Sequence, residues 1–122
     1  MLFMDQRAFV DLLQLVVLDG LSVELAETWQ NPPGRLRSEE RSLRSGWITN
    51  LSGPDRALLE AFGQDVARAA VFGVLCVLDG VRKIEDSEHG HLELQHVTNG
   101  SFKLLASSGE DMPVNFLHDL LP

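Results

Sequence analysis

A single long helical segment, residues 54–81, most constrains how this sequence can fold. Pro54 suits the first position of a helix, and the segment ends at Asp79-Gly80 because glycine readily adopts the left-handed closing conformation. Apolar residues recur at helical spacing along it. After Ala69 they lie all round the helix, so this half is expected to be buried on most sides. We therefore predict a central helix on which the rest of the chain packs.

Small residues within this segment predict a close approach. Ala69, Ala70 and Gly73 leave little side-chain bulk on one stripe of the helix. A glycine in a helix interior costs about 1 kcal/mol relative to alanine, and close packing offsets that cost. The sequence therefore allows another helix to approach closely along this stripe.

Three shorter helices are predicted before the central one. The first spans residues 5–18, the second begins at Ser22, and the third spans residues 38–51. The break at residues 31–34, which contains two prolines and a glycine, cannot continue a helix. Helical spacing predicts which side chains face the core. They are Phe9, Leu12, Leu13, Val16 and Val17 in the first helix, Val23, Leu25, Ala26 and Trp29 in the second, and Leu43, Trp47, Ile48 and Leu51 in the third.

A β-hairpin is predicted after an acidic loop at residues 82–90. Residues 91–97 and 101–106 alternate in polarity, which is typical of paired strands. A three-residue loop at residues 98–100, with Gly100 left-handed, places most apolar side chains on one face. We therefore favour it over a two-residue turn. An isolated hairpin is marginally stable, so its apolar face is expected to pack on the helices.

A short helix opened by Pro113 and ending at Leu121 is predicted to close the chain. The element order predicts an α+β fold: a mainly helical bundle of about four helices around the long central helix, then a C-terminal β-hairpin and a short terminal helix. The chain has 122 residues, of which 44% are apolar, and this is typical of one globular domain. We expect residues 1–122 to form a single domain.

The charge balance is acidic, with 18 Asp and Glu against 10 Lys and Arg and a net charge of −8. This excludes an ordinary nucleic-acid binder, which needs a basic surface. It suits a basic protein partner, because opposite charge steers association. The acidic residues predicted to contact such a partner are Glu85, Asp86, Glu88 and Glu93.

Four arginines form the only dense positive group in the sequence. They are Arg35, Arg37, Arg41 and Arg44. Three of them can share one helix face, where they either pair with nearby glutamates or form a docking patch for an anion or a partner. The sequence leaves both interpretations open.

Metal-ligand residue types cluster only at His89 and His91, beside the acidic loop residues. Two histidines two residues apart in an extended segment point the same way, as metal ligands can. No second spaced pair follows them, so a solvated acidic loop is favoured over a weak metal site. We predict no cofactor.

No sequence motif identifies a reaction. Phosphate-binding loops, dinucleotide fingerprints and nucleophile elbows do not occur. His118 and Asp119 are adjacent, but neighbouring helix residues project about 100° apart and are not expected to form a dyad. We therefore expect a protein without enzymatic activity.

The cellular compartment is predicted from one cysteine and one apolar run. Cys76 is the single cysteine, so no intramolecular disulfide can form, and we expect a buried, unreactive thiol. The longest apolar run, residues 69–78, is ten residues, whereas a membrane span needs about 20. We predict a cytoplasmic protein, bacterial in style, with no membrane contact.

The C-terminal half resembles a family of small uncharacterised bacterial proteins. The residues that carry the resemblance are 71–86 (VFGVLCVLDGVRKIED), 91–94 (HLEL) and 116–121 (FLHDLL). These segments contain no catalytic motif, so the resemblance implies no functional residue. In size, acidity and lack of catalytic motifs, the chain is similar in type to immunity proteins that neutralise bacterial toxins.

The leading functional prediction is an immunity or antitoxin-like inhibitor that covers a basic partner with an acidic surface and apolar anchors. The alternative is a structural or assembly module that forms a homodimer through the small-residue stripe or the open hairpin edge. A third possibility is a small enzyme or metal-binding regulator that uses His89 and His91.

Overall fold

A computed structural model describes residues 4–34, 38–84, 90–110 and 113–122 of the chain. It confirms the α+β class, with a long helix, a two-stranded antiparallel hairpin and a short terminal helix. The elements are α1 (Gln6–Leu13), which continues into a π-helical segment (Gln14–Leu18), α2 (Leu21–Gln30), α3 (Glu39–Thr49), α4 (Gly53–Leu78), β1 (Glu93–Thr98), β2 (Ser101–Ser107) and α5 (Leu117–Leu120).

Contacts within the chain group into two compact units. One unit comprises Leu18–Arg68, and the other comprises Met1–Val17 together with Ala69–Pro122. The long helix α4 begins in the first of these ranges and ends in the second. The single-domain expectation stays a prediction, and each unit is described separately.

The first helix starts as predicted but changes geometry before its end. The Asp5 carboxylate accepts a hydrogen bond from the Ala8 N–H at 2.7 Å, which is an ordinary N-cap. From Gln14 the helix widens into the π-helical segment, which rotates later side chains away from α-helical spacing. Val16 and Val17 are therefore 75% and 42% exposed, and the prediction that they face the core is wrong.

In the unit Leu18–Arg68, α3 packs against α2 along a narrow face. Ser38 caps α3 as the sequence predicts, accepting from the Arg41 N–H at 3.2 Å, and Ile48 is fully buried. Leu43 and Trp47 are 74% and 51% exposed, so the prediction that both face the core is wrong. Helical periodicity identifies an apolar face but not whether the same chain covers it.

In the other unit, buried apolar residues come from α1, the end of α4, β2 and the C-terminus. They are Val10, Leu75, Cys76, Leu105, Ala106, Leu117 and Leu121. The buried Gln6 side chain connects these elements. Its Nε2 donates to the carbonyls of Leu105 and Asn115 at 2.8 and 2.5 Å, and its Oε1 accepts from the Asn115 N–H at 3.2 Å.

The second half of α4 is buried less completely than predicted. Gly73, Leu75 and Cys76 are buried, and this confirms the burial predicted for the thiol, but Val74 is 60% exposed. A Cβ at Gly73 would lie 2.9 Å from Nη1 of Arg82. Among the described residues, the side chain within 4 Å of this position is therefore that of Arg82, and Arg82 does not belong to a helix.

Within the described ranges, α4 is the one helix long and apolar enough to cross a membrane. The mean hydropathy of its most apolar 18-residue window is 1.5, and 17% of that window is buried. Its longest unbroken apolar run, residues 69–78, is only ten residues long, so run length alone does not reveal this helix as a candidate span. Length and composition are weak evidence for a span, and the absence of membrane contact stays a prediction.

The hairpin turn differs from the predicted one. Thr98 lies opposite Ser101, so the connection is the two-residue turn Asn99-Gly100, with Gly100 at φ +82°. Gly100 supplies the positive φ of this turn, since glycine adopts that conformation without steric cost, and Asn99 has no positive φ. The prediction of a three-residue loop at residues 98–100 is wrong.

A β-bulge inside the hairpin replaces the predicted bulge at its turn. Gln95 pairs with Leu104 and Leu94 with Ala106, so Leu105 is the extra residue. Near the turn, the register places Val97 opposite Phe102, and these side chains are 67% and 66% exposed. The predicted packing of Phe102 on the helices is therefore wrong, because only the part of β2 beyond the bulge is buried.

The terminal helix is also shorter than predicted. It comprises Leu117–Leu120 and does not extend from Pro113 to Leu121. The Asp79 carboxylate accepts from the N–H groups of Leu117 and His118, at 3.0 and 2.9 Å, and these contacts fix the start of the helix. A cap from a distant segment is invisible to a local sequence pattern.

Candidate functional site

The predicted acidic contacts are only partly described. Glu85, Asp86 and Glu88 lie outside the described residues. Glu93 lies on β1 with its side chain 35% exposed, and its carboxylate contacts Nε2 of His91 and Nε2 of Gln95, each at 3.0 Å. These neighbours orient the carboxylate on the hairpin surface, where it stays a predicted contact.

Only one of the two candidate metal residues is described. His89 lies outside the described residues, and the ring of His91 pairs with Glu93. Among the described residues, no group of three or more His, Cys, Asp or Glu side chains could hold a metal ion. His91 and Glu93 are therefore not part of such a group within the described residues, and the metal interpretation of His89 and His91 stays a prediction.

The arginine group has one clear pairing. Arg35 and Arg37 lie outside the described residues. Arg44 forms an i, i+4 ion pair with Glu40, and its guanidinium lies 5.0 Å from the centroid of the Trp29 ring. The pairing interpretation is therefore confirmed for Arg44, and its contact with Trp29 leads to the feature that the sequence analysis missed.

That feature is an apolar groove in the unit Leu18–Arg68. It has a volume of about 220 Å³ and is open to solvent. On α2, the residues that line it recur at i, i+3, i+4 and i+7 and so share one helix face. The lining residues are Ser22, Leu25, Ala26, Trp29, Trp47, Ile48, Leu59, Glu60 and Gly63.

The groove has a buried floor and exposed apolar walls. Ala26 and Ile48 are 6% and 2% exposed, whereas Leu25 and Trp47 are 55% and 51% exposed. The rings of Trp29 and Trp47 meet edge to face with centroids 6.4 Å apart, which fixes the orientation of both indoles. Large, oriented aromatic surface is therefore presented to solvent beside a packed floor.

Polar contacts join α2 and α4 near the start of α2. Gln64 Nε2 donates to the Leu18 carbonyl at 2.6 Å, and Gln64 Oε1 accepts from the Ser22 N–H at 3.4 Å. A Cβ at Gly63 would clash with the Ser22 hydroxyl oxygen, so a larger residue at position 63 would require that hydroxyl to rotate away. The two helices are thus tied together at one end of the groove.

A second set of contacts joins the helices near the end of α2. Arg56 Nη1 donates to Oε1 of Gln30 at 3.1 Å, and Arg56 Nε pairs with Glu60 at 2.9 Å. Ser45 on α3 donates to the Gln30 carbonyl at 2.7 Å. Hydrogen bonds near both ends of α2 therefore hold the groove in a preformed shape.

A second recess adjoins the groove and shares Leu25 and Trp29 with it. Its volume is about 250 Å³. Its other lining residues are Thr28, Pro32, Pro33, Arg41 and Arg44. The two recesses differ in chemistry, because the first is almost wholly apolar and the second carries two guanidinium groups.

A further constellation, which the sequence also did not reveal, surrounds His118 in the other unit. Its Nδ1 lies 2.7 Å from Oδ2 of Asp79, and its ring contacts those of Phe72 and Phe116, at 5.5 and 5.3 Å between centroids. Its Nε2 lies 3.3 Å from the Asp119 carboxylate, so the prediction that these neighbours do not meet is wrong. The imidazole is long enough to bridge their diverging Cβ atoms.

This constellation stabilises α5 and shows no reaction geometry. An ionised carboxylate only accepts hydrogen bonds, so Nδ1 of His118 carries the proton that faces Asp79. In the described part of the chain, the ring's partners are carboxylates, and no hydroxyl or thiol is hydrogen-bonded to it. The groove is therefore the stronger candidate for a functional site.

No family model, curated protein or solved structure matches this chain. The resemblance of the C-terminal half to small bacterial proteins therefore stays a prediction.

Proposed function

We propose that this chain is a cytoplasmic protein that binds another protein, as an inhibitor of the immunity or antitoxin type. The observation that carries the proposal is the preformed groove between α2, α3 and α4. The side chains of Leu25 and Trp47 stand exposed around its packed floor. A partner side chain that enters the groove provides the cover that the described residues do not.

The composition of the groove supports strong local binding. Tryptophan and arginine are enriched among residues that dominate interface energies, and the chain's only two tryptophans line this groove. Burying one large apolar side chain stabilises a complex by about 1.5–3 kcal/mol. The hydrogen bonds of Gln64 and Arg56 hold the groove open before binding. Little conformational entropy is therefore lost on binding, and most of the stabilisation from apolar burial is kept.

Charge supports a basic partner. Residues 18–68 contain eight acidic residues and six arginines, a net charge of −2, and the rest of the chain carries the remaining −6. Negative charge outside the groove unit, including the predicted contacts Glu85, Asp86, Glu88 and Glu93, accelerates encounter with a positively charged protein. The groove then supplies affinity after encounter.

Matched capture experiments test the proposal. The immobilised wild-type chain and the variants Leu25→Glu and Leu43→Glu are exposed to native lysate of the source organism. Both leucines are well exposed, at 55% and 74%, but only Leu25 lines the groove. We expect a partner that binds wild type and Leu43→Glu and is lost with Leu25→Glu, and the purified partner should reproduce this order of affinities.

Two results would contradict the proposal. One is that no specific protein is captured at either low or high salt. The other is that Leu25→Glu and Leu43→Glu retain the partner equally, since the groove would then not be the binding surface. Circular dichroism of both variants establishes that each keeps its helices.

A second candidate function, a homodimeric assembly module, is favoured by a separate surface. Leu58, Phe62 and Val66 recur at i, i+4 and i+8 on α4 and are 69%, 67% and 51% exposed. Such a stripe can pair with its own copy about a two-fold axis. Light scattering discriminates the two functions: a homodimer that Phe62→Glu converts to monomer supports the assembly module, and a monomeric wild type supports the inhibitor.

A further inference from the structure

The adjoining recesses define the chemistry of the segment that fills the groove. Building on the proposed function, we infer that the partner presents a large apolar side chain directly beside a carboxylate on one polypeptide segment. The apolar side chain occupies the groove, and the carboxylate occupies the second recess. Leu25 and Trp29 line both, so a single short segment spans them.

The first recess selects an apolar side chain. Its ionisable lining residue is Glu60, whose carboxylate is paired with Arg56 at 2.9 Å. A charged partner group placed there would lose its hydration without gaining a new ionic partner, which is costly. An apolar side chain meets the indoles of Trp29 and Trp47 and the side chain of Leu59 instead.

The second recess selects a negative charge. The guanidinium of Arg44 is oriented by its contact with the Trp29 ring, 5.0 Å from the centroid. Its pairing with Glu40 is exposed, with side chains 46% and 71% accessible, and such surface pairs contribute little. A partner carboxylate that binds Arg44 inside the recess, beside Trp29, forms a better-shielded, charge-assisted hydrogen bond.

A positive charge is rejected at the same place. Arg41 and Arg44 both line the second recess, so a lysine or arginine of the partner would face two guanidinium groups. This local preference is compatible with steering by the acidic part of the chain. Total charge acts over distances comparable with the Debye length, about 8 Å at physiological salt, whereas recognition in the recess occurs at contact distance.

Three matched tetrapeptides test the inference with the full chain. Each begins with acetyl-Leu-Phe and ends with two identical residues, either glutamate, glutamine or lysine, followed by a C-terminal amide. Binding is followed by tryptophan fluorescence, because the only two tryptophans of the chain line the groove. We expect the glutamate peptide to bind about tenfold more tightly than the lysine peptide, with the glutamine peptide between them.

Two variants distinguish binding of the carboxylate in the second recess from the effect of the total charge of the chain. Arg44→Gln should weaken the glutamate peptide about tenfold and leave the glutamine peptide unchanged. Arg7→Gln, an exposed arginine on α1 that does not line either recess, removes the same charge and should change neither peptide. An equal loss with both variants would mean that total charge, and not the recess, selects the ligand.

Failure of the inference is distinguishable from failure of the proposed function. If all three peptides bind equally, the carboxylate preference is refuted while groove binding stands. If no peptide changes the fluorescence at millimolar concentration, the assigned segment is refuted. The proposed function is judged separately, by whether Leu25→Glu loses the captured protein.

Discussion

The carboxylate of Asp79 holds His118 by both its main chain and its ring. Asp79 Oδ2 accepts from the His118 N–H at 2.9 Å and from Nδ1 at 2.7 Å, while Oδ1 accepts from the Leu117 N–H at 3.0 Å. Asp79 is 4% exposed. One buried side chain therefore satisfies the donors that a helix start leaves unpaired and fixes the C-terminal segment to the end of α4.

Replacement of Asp79 by alanine should strongly destabilise the fold. The change leaves buried N–H donors of Leu117 and His118 without acceptors, and we expect a loss of about 2–4 kcal/mol in the free energy of unfolding, measured by urea denaturation. Asp119→Ala, on α5 with a 66% exposed side chain, is the control and should cost less than about 0.5 kcal/mol. Similar losses in both variants would show that Asp79 is not the anchor.

Three glycine-to-alanine substitutions should separate backbone strain from steric clash. Gly80 has φ +79°, and a Cβ there would lie 2.8 Å from Cα of Ser108, so Gly80→Ala should cost about 3 kcal/mol. Gly100 has φ +82° but open space, so Gly100→Ala should cost about 1 kcal/mol.

The third glycine substitution should stabilise the chain, whereas the first two destabilise it. Gly46 lies within α3 with nothing within 4 Å of its missing Cβ and no positive φ. Gly46→Ala should therefore stabilise the chain by about 0.5–1 kcal/mol, because alanine has the higher helix propensity. Thermal or urea unfolding measures all three, and any other order of stabilities contradicts the geometry.

Local signals predicted much of the fold, and long-range contacts account for the errors. The Ser38 cap, the helix end at Asp79-Gly80 and the element order depend on neighbouring residues, so the sequence sufficed. The shortened α5 depends on Asp79, which accepts from residues 38 and 39 positions away. A periodic sequence pattern cannot predict a hydrogen bond between residues this far apart in the chain.

The candidate site was missed for a different physical reason. Apolar periodicity predicted that Leu25 and Trp47 face inward, and both do lie on the apolar faces of their helices. Whether such a face packs within the chain or remains open depends on how far apart α2, α3 and α4 are held. Contacts such as Gly63 with Ser22 set that spacing, and they join residues 41 positions apart.

The Gln6 side chain should contribute to stability out of proportion to its size. It is 8% exposed and bonds to the backbone of both Leu105 and Asn115. Gln6→Ala leaves the buried Leu105 carbonyl and the partly buried Asn115 groups without these bonds, so we expect a loss of about 1–3 kcal/mol in urea unfolding. Arg7→Ala, its exposed neighbour on α1, should change stability by less than about 0.5 kcal/mol. A Gln6 variant as stable as the Arg7 variant would refute this role.

The hairpin register can be tested by the coupling between cross-strand side chains. Because Val97 lies opposite Phe102, a double-mutant cycle of Val97→Ala and Phe102→Ala should give a coupling energy of about 0.2–1 kcal/mol in urea unfolding. His96 lies opposite Lys103, so the cycle of His96→Ala with Phe102→Ala should give a smaller value. A three-residue loop would instead place His96 opposite Phe102 and reverse the two coupling energies. The two-residue turn is therefore refuted if the His96 cycle gives the larger coupling.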